Sequence, residues 1–274
     1  MKFSLTITEQ GGVETFARLL HAASKMCRKK AGLRLTPDYL EVQCGDAIRD
    51  GGNWLTVRVP AETSFTTYNF GGLSAEANVI VMEVDIDHLS EVLLKAEGHT
   101  KLKLFTKIGK PHLLVELRES FVVHHLPVVM IAQKKWPSFE KPQLDPPQVS
   151  LHLPHARSIQ RIFFSLKHMG AKFINLTAHR DDNDFAVSAK VDHGRINIKI
   201  PDTSADHSQN TEVDGAVTTR MHLRALLNFL SAFNFASHNR IVLNMITNRT
   251  AQFGLSIDDC EVSFIVGSVM QDAD

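Results

Sequence analysis

No pair of cysteines in this chain has C-x-x-C spacing, no apolar run is long enough to span a membrane, and neither sign of charge is in excess. Cys27, Cys44 and Cys260 form an odd set without metal-binding or redox spacing. Three reduced, buried thiols in an intracellular compartment are therefore expected, rather than a disulfide framework. A membrane helix needs roughly 18 or more consecutive apolar residues, and the N-terminus reads straight into a strand, so the chain is expected to be neither inserted nor secreted. Thirty basic residues cancel thirty acidic ones. Bulk charge thus makes no case for nucleic acid, and any such case rests on where the charges sit.

Catalytic signatures are missing as well. The sequence has no G-x-x-x-x-G-K-[ST] phosphate loop, no G-x-G-x-x-G and no G-x-S-x-G elbow. Its glycine pairs Gly11-Gly12, Gly51-Gly52 and Gly71-Gly72 read as turns. Fourteen histidines are present but scattered. His124 and His125 point to opposite sides of a strand, and Pro154 between His152 and His155 prevents a helical zinc pair. The acidic groups Asp181, Asp182, Asp184 and Asp258, Asp259 lack the glycine and distal glutamate of a calcium loop and read as solvated turns. An enzyme is not expected, and neither a cofactor nor a metal.

What the 274 residues do contain is a repeated pattern. Residues 2–8 alternate with Phe3, Leu5 and Ile7 on one side, and a helix over about 12–27 carries Val13, Phe16 and Leu20 on one face. Strands follow around Leu33, Leu40 and Val57, giving a βαβββ unit. The unit recurs with helices near 87, 155 and 223, about 75, 68 and 68 residues apart. Strands near 101–108, 111–118 and 121–131 complete the second copy. The third helix presents Ile159, Ile162, Phe163 and Leu166, and the fourth Leu223, Leu226, Leu227 and Leu230. Residues 132–148, with Pro137, Pro142, Pro146 and Pro147, break the rhythm and read as a connector. We expect an α+β fold of two domains, 1–131 and 149–274, each a duplicated βαβββ unit with helices on one side and antiparallel sheet on the other.

The charges segregate by element. Basic residues outnumber acidic ones by five to one over residues 11–30, four to none over 155–172 and three to none over 220–240, with one against three over 86–99. On a helical wheel Arg18, Lys25 and Lys29 lie opposite the first apolar stripe, Arg157, Arg161 and His168 opposite the third, and Arg224 behaves likewise in the fourth. With Lys95 beside the second helix, these residues are expected to face double-stranded DNA through phosphates, without sequence specificity.

Local sequence narrows the family. Met1-Lys2-Phe3, Leu33-Arg34-Leu35-Thr36-Pro37-Asp38-Tyr39-Leu40, Gly72-Leu73-Ser74-Ala75-Glu76-Ala77-Asn78, Lys135-Trp136 and Val149-Ser150-Leu151-His152-Leu153-Pro154 occur in order along the chain. Their order and spacing resemble the Hus subunits of the DNA-damage checkpoint sliding clamp, over nearly the whole sequence. The resemblance implies a non-catalytic, nuclear subunit of a heterotrimer with Rad-nine-type and Rad-one-type partners. That ring would be opened by a clamp loader, would encircle duplex DNA and would carry repair and checkpoint client proteins. A homotrimeric polymerase processivity clamp is the rival of the same architecture. By analogy with the fold, subunit contacts are placed on the edges 121–129 (Phe121, Val123, His125) and 195–200 (Arg195, Ile196, Ile198). By the same analogy, Trp136, Phe139 and Leu144 of the connector would receive client peptides.

Overall fold

The structure, a computed structural model, describes residues 1–48, 51–106, 110–179, 185–205, 215–236 and 238–270. The cluster Asp181, Asp182, Asp184 and most of the polar loop 202–214 lie outside these residues. The chain divides into two compact units, one of Met1–Cys44, Leu55–Lys141 and Asp258–Glu261, the other of Gly45–Trp54, Pro142–Ile257 and Val262–Asp274.

In the first unit β1 (Lys2–Ile7) leads into α1 (Gln10–Met26), followed by β2 (Lys30–Leu35), β3 (Tyr39–Gly45), β4 (Asn53–Pro60), the single turn α2 (Ala61–Ser64) and β5 (Thr67–Gly71). The second copy is β6 (Ile80–Asp85), α3 (Ile86–Leu93), β7 (Thr100–Phe105), β8 (His112–Leu117) and β9 (Val122–Met130), with a 3-10 segment at Gln133–Phe139. Strand order is β4-β3-β2-β6-β9-β8-β7-β1-β5. Phe3, Leu5 and Ile7 are buried and alternate with more open neighbours, as a half-covered strand requires. Over them α1 buries Val13, Phe16, Leu19, Leu20 and Ala23 and packs against α3. The start of α3 is fixed by Asp85, whose carboxylate accepts a hydrogen bond from the His88 amide at 3.1 Å. Gly11 and Gly12 lie in the first turn of α1, not in a turn between elements. The β5–β6 loop does need its glycine, because a Cβ on Gly72 would meet the Asn78 backbone at 2.6 Å.

The second unit runs β10 (Val149–His155), α4 (Ala156–His168), β11 (Phe173–His179), β12 (Phe185–Val191), β13 (Gly194–Ile200) and the two-residue β14 (Ser204–Ala205). Then come β15 (Ala216–His222), α5 (Leu223–Ala232), a 3-10 turn at Asn234–Ala236, β16 (Arg240–Ile246), β17 (Thr250–Ile257) and β18 (Cys260–Gly267). Two sheets result, ordered β14-β10-β16-β17-β18 and β13-β12-β11-β15. α4 ends where Gly170 takes φ +87, a conformation that places the Ala171 amide on the Leu166 carbonyl at 3.1 Å. Ala156, Ile159, Phe163 and Leu166 are its buried residues, while Ile162 of the expected stripe is only half-buried, since on a 3.6-residue helix it lies at the edge of the face those four define.

Both copies of βαβββ in each unit stand in the expected order; α2, β5 and β14 are additions whose short spans carry no periodicity. Phe229 of α5 anchors the second core, stacked on Phe264 at 4.8 Å and beside Phe233 at 5.3 Å, all three fully enclosed. Replacing Phe229 by Ala removes a ring that adjacent strands cannot collapse to fill, so Phe229→Ala is expected to lower stability by about 3–5 kcal/mol in urea unfolding.

Candidate nucleic-acid interface

Helices α1, α4 and α5 bury one stripe each, which leaves their opposite faces to solvent and decides where their cations point. Arg18 and Lys25 are two turns apart on the exposed side of α1, and Arg18 reaches Glu14 at 3.8 Å across one turn. Arg157 and Arg161 are likewise one turn apart and exposed on α4, a helix without a single acid. Arg224 is exposed on α5, packed beside α4, where Gln160 donates to the Ser231 hydroxyl at 3.4 Å. Exposed His168 stands in the last turn of α4.

Two assignments shift. Lys29 is not on the face of α1, because the helix ends at Met26. It occupies the following turn with φ 69, its ammonium 4.0 Å from Asp85. Lys95 is exposed just beyond α3, whose own charges are Asp87 and Glu91. Within their observed bounds the four long helices carry Arg18, Lys25, Arg157, Arg161, Lys167 and Arg224 against Glu14, Asp87 and Glu91. The basic bias is therefore weaker than the sequence windows suggested, since those windows took in Arg28, Lys30, Lys172, Arg220 and Arg240 from turns and strands.

β9 changes partner along its length, pairing with β8 over residues 122–127 and with β6 over 128–130. Residues 122–126 therefore have a strand on one side only, among the described residues. Val123 and His125 are exposed there, and Phe121, in the turn before the strand with φ 55, is 94% exposed. Among the described residues β13 is the end strand of its sheet, bonded to β12 alone, with Arg195 exposed and Ile196 and Ile198 half-covered. In the 3-10 segment the Trp136 indole donates to the Ile131 carbonyl at 3.0 Å, and the Phe139 ring lies so close to Gly32 that a Cβ there would stand 2.5 Å from it. Leu144 is half-buried.

Features that no motif signalled complete the picture. Glu41 of β3, only 2% exposed, accepts from the Arg58 Nε at 2.9 Å and from Gln43 at 2.9 Å, with Arg34 at 3.5 Å. Partial burial works against the Arg58 cation, but the Glu41 hydrogen bond and charge outweigh it and raise its pKa. Cys27 and Cys44 are joined in a disulfide, contrary to the expectation of three free thiols. The β2–β3 hairpin returns Cys44 to the end of α1, a closeness of 5.5 Å between Cα atoms that spacing in the sequence could not reveal. Cys260 is free and buried. It borders a cavity of about 370 Å³ lined also by Thr15, Ser64, Asp258 and Asp259, with no histidine or lysine. Burial raises the Cys260 pKa, the opposite of an activated nucleophile. Among the described residues no three His, Cys, Asp or Glu side chains group as metal ligands, and no helix is long and apolar enough to cross a membrane.

The family model described as Hus1-like protein matches residues 1–270. The chain is 23% identical to the human protein named Checkpoint protein HUS1, over 97% of this chain and 99% of that one. The Dictyostelium discoideum checkpoint protein hus1 homolog is 24% identical over 49% of this chain and 52% of its own. Among solved structures, the proliferating cellular nuclear antigen of Entamoeba histolytica superposes with TM-score 0.73 at 15% identity, covering 98% of this chain and 99% of the other. The A. fulgidus PCNA solved with the C-terminal region of FEN-1 gives 0.68 at 14%, with 98% and 99% coverage. The fold is thus the PCNA-like clamp fold, and neither the family description nor the relatives' names denote a catalytic activity.

Two outcomes follow from this chemistry. Arg58→Ala strips the main partner from a buried carboxylate and is expected to cost about 2–3 kcal/mol in chemical unfolding, whereas Lys30→Ala, which breaks the exposed pair with Glu83, leaves the midpoint nearly unchanged. Titration with a thiol reagent at pH 8 is expected to find no fast thiol in the native chain, one after unfolding without reductant, and three with it; fast native labelling of Cys260 would contradict its burial.

Proposed function

Because the chain belongs to the Hus1-like protein family, we propose that it is a non-catalytic subunit of a heterotrimeric checkpoint sliding clamp that encircles duplex DNA. The observation that carries this reading is the match of the family model over residues 1–270 on a clamp fold. Its domains are 1–131 and 149–274, joined by the connector 132–148. Its partners are Rad-nine-type and Rad-one-type subunits, a clamp loader, and repair and checkpoint proteins, and it works in the nucleus.

The mechanism follows from edges and charge. A strand with unpaired backbone groups on one side is a template for another chain, and two different edges per subunit give head-to-tail contacts that close into a ring. The one-sided stretch of β9, with Phe121, Val123 and His125, and the end strand β13, with Arg195, Ile196 and Ile198, supply those edges. Arg18, Lys25, Arg157, Arg161 and Arg224 face the duplex, with Lys29 and Lys95 near it. They meet phosphates and read no bases, which permits sliding. Trp136, Phe139 and Leu144 mark where a client segment docks at the connector; the A. fulgidus PCNA of the same fold, solved with the C-terminal region of FEN-1 bound, supports a client-carrying role.

Light scattering of the chain alone, and then co-expressed with the two partner subunits, is expected to give a monomer and a one-to-one-to-one complex. A homotrimer of the chain alone would replace this reading with a processivity clamp. Reversing Arg18, Lys25, Arg157 and Arg161 to Glu together is expected to weaken retention on DNA and to flatten the salt dependence by up to about 4 units of log–log slope. Unchanged retention would remove the helices from the DNA contact.

A further inference from the structure

Arg220 belongs by sequence to the basic stretch around the fourth helix, yet it sits on β15, the strand before it. β15 alternates: Val217, Thr219 and Met221 are buried, while Thr218, Arg220 and His222 occupy the other side. The Arg220 guanidinium is held 4.6 Å over the ring of Phe173, one strand away. No carboxylate lies within ion-pair distance of it among the described residues. A guanidinium oriented by an aromatic ring presents its N–H donors in a fixed direction, the geometry in which arginine pairs well with a carboxylate.

Its surroundings are built from neutral hydrogen-bonding groups. Asn175 is the cross-strand neighbour of both Arg220 and Ser188, and its amide reaches the Ser188 hydroxyl at 3.4 Å. Thr177 and Thr218 are paired on the same face, 3.3 Å between hydroxyls. The chain after β18 walls this face on one side, the Val269 amide bonding the Arg220 carbonyl at 2.9 Å and the Ser268 amide the Arg249 carbonyl at 2.7 Å. Among the described residues the resulting groove of about 1120 Å³ is lined by two arginines, seven hydroxyl or amide side chains and no carboxylate. Arg249 is paired with Asp145, which leaves Arg220 as the groove arginine without a carboxylate partner among the described residues. The volume lies at the upper end of the range usual for small-molecule sites, roughly 300–1,000 Å³, and the groove is half-open to solvent, which leaves room for a short extended segment.

We propose that this groove docks an acidic, carboxylate-rich peptide segment of a partner protein, anchored on Arg220, with the Asn175, Ser188 and Thr218 side chains donating to its carboxylates. Carboxylate and guanidinium form a bidentate, charge-assisted pair, and the hydroxyl and amide groups give the remaining oxygens partners without adding a competing negative charge. The surface is separate from the helical cations assigned to DNA, so the proposal stands whether or not the clamp reading does.

The test is fluorescence anisotropy with the full chain and a labelled peptide of alternating Asp and Ser, against the same peptide with Asn for Asp. Binding of the acidic peptide alone is expected. Arg220→Glu should weaken it by at least about tenfold, the loss of one good charge-assisted pair. Arg220→Lys should recover part of the affinity, which separates lost charge from lost fold, and Arg157→Glu should leave it unchanged. The bound peptide should also slow modification of Arg220 by phenylglyoxal. Equal binding of the Asn peptide, or undiminished binding by Arg220→Glu, would overturn the proposal. So would loss of duplex binding in Arg220→Glu without loss of the peptide, which would make the groove a phosphate contact instead. The clamp reading fails by different measurements, subunit mass and DNA retention.

Discussion

Burial of one side of each sheet beneath a pair of helices is the constraint from which the rest of this structure follows. α1 packs with α3 and α4 with α5, and each helix commits a stripe such as Val13, Phe16, Leu20 or Ile159, Phe163, Leu166 to the strands beneath. A stripe so committed sends Arg18, Lys25, Arg157 and Arg161 outward, because a cation cannot share the dry side without a partner. The same pleat that turns Val217 and Met221 inward turns Arg220 the other way. Helix face and strand face thereby become two chemically different surfaces of one unit.

Where a charge does enter the interior, its surroundings are complete. Glu41 is enclosed on β3 yet has Arg58, Gln43 and Arg34 on its oxygens. Desolvation of a carboxylate is offset only by hydrogen bonds of that quality. By contrast, Lys30–Glu83 and Arg18–Glu14 lie in solvent, where screening leaves them little to contribute to stability. The charged residues that hold the fold and those free to meet a partner are therefore largely different residues.

Antiparallel sheets end in edges, and an edge is either covered, short or used. β5 and β14 are short end strands. Among the described residues, β13 is a seven-residue end strand and β9 leaves one flank open over residues 122–126. Such lengths of unpaired backbone support assembly with another chain, and the exposed apolar residues Phe121 and Val123 beside one of them support it further.

Much of this was legible in the sequence, for a local reason. Period-2 and period-3.6 patterns report which side of an element is buried, and four copies of βαβββ specified the α+β architecture because consecutive strands joined by short turns pair with one another. Charge placement was read less well. A window of residues does not know that α1 stops at Met26, so Lys29 was placed on a helix it does not belong to, and Arg220 was counted with a helix when it points from a strand. What the sequence by itself determined was the order of elements and the inward face of each. Only the tertiary structure decided which distant groups meet: Cys27 with Cys44, Glu41 with Arg58, Arg220 with Phe173. Periodicity is a property of neighbouring residues, whereas these contacts depend on hairpin returns and sheet registers that bring together strands remote in the chain.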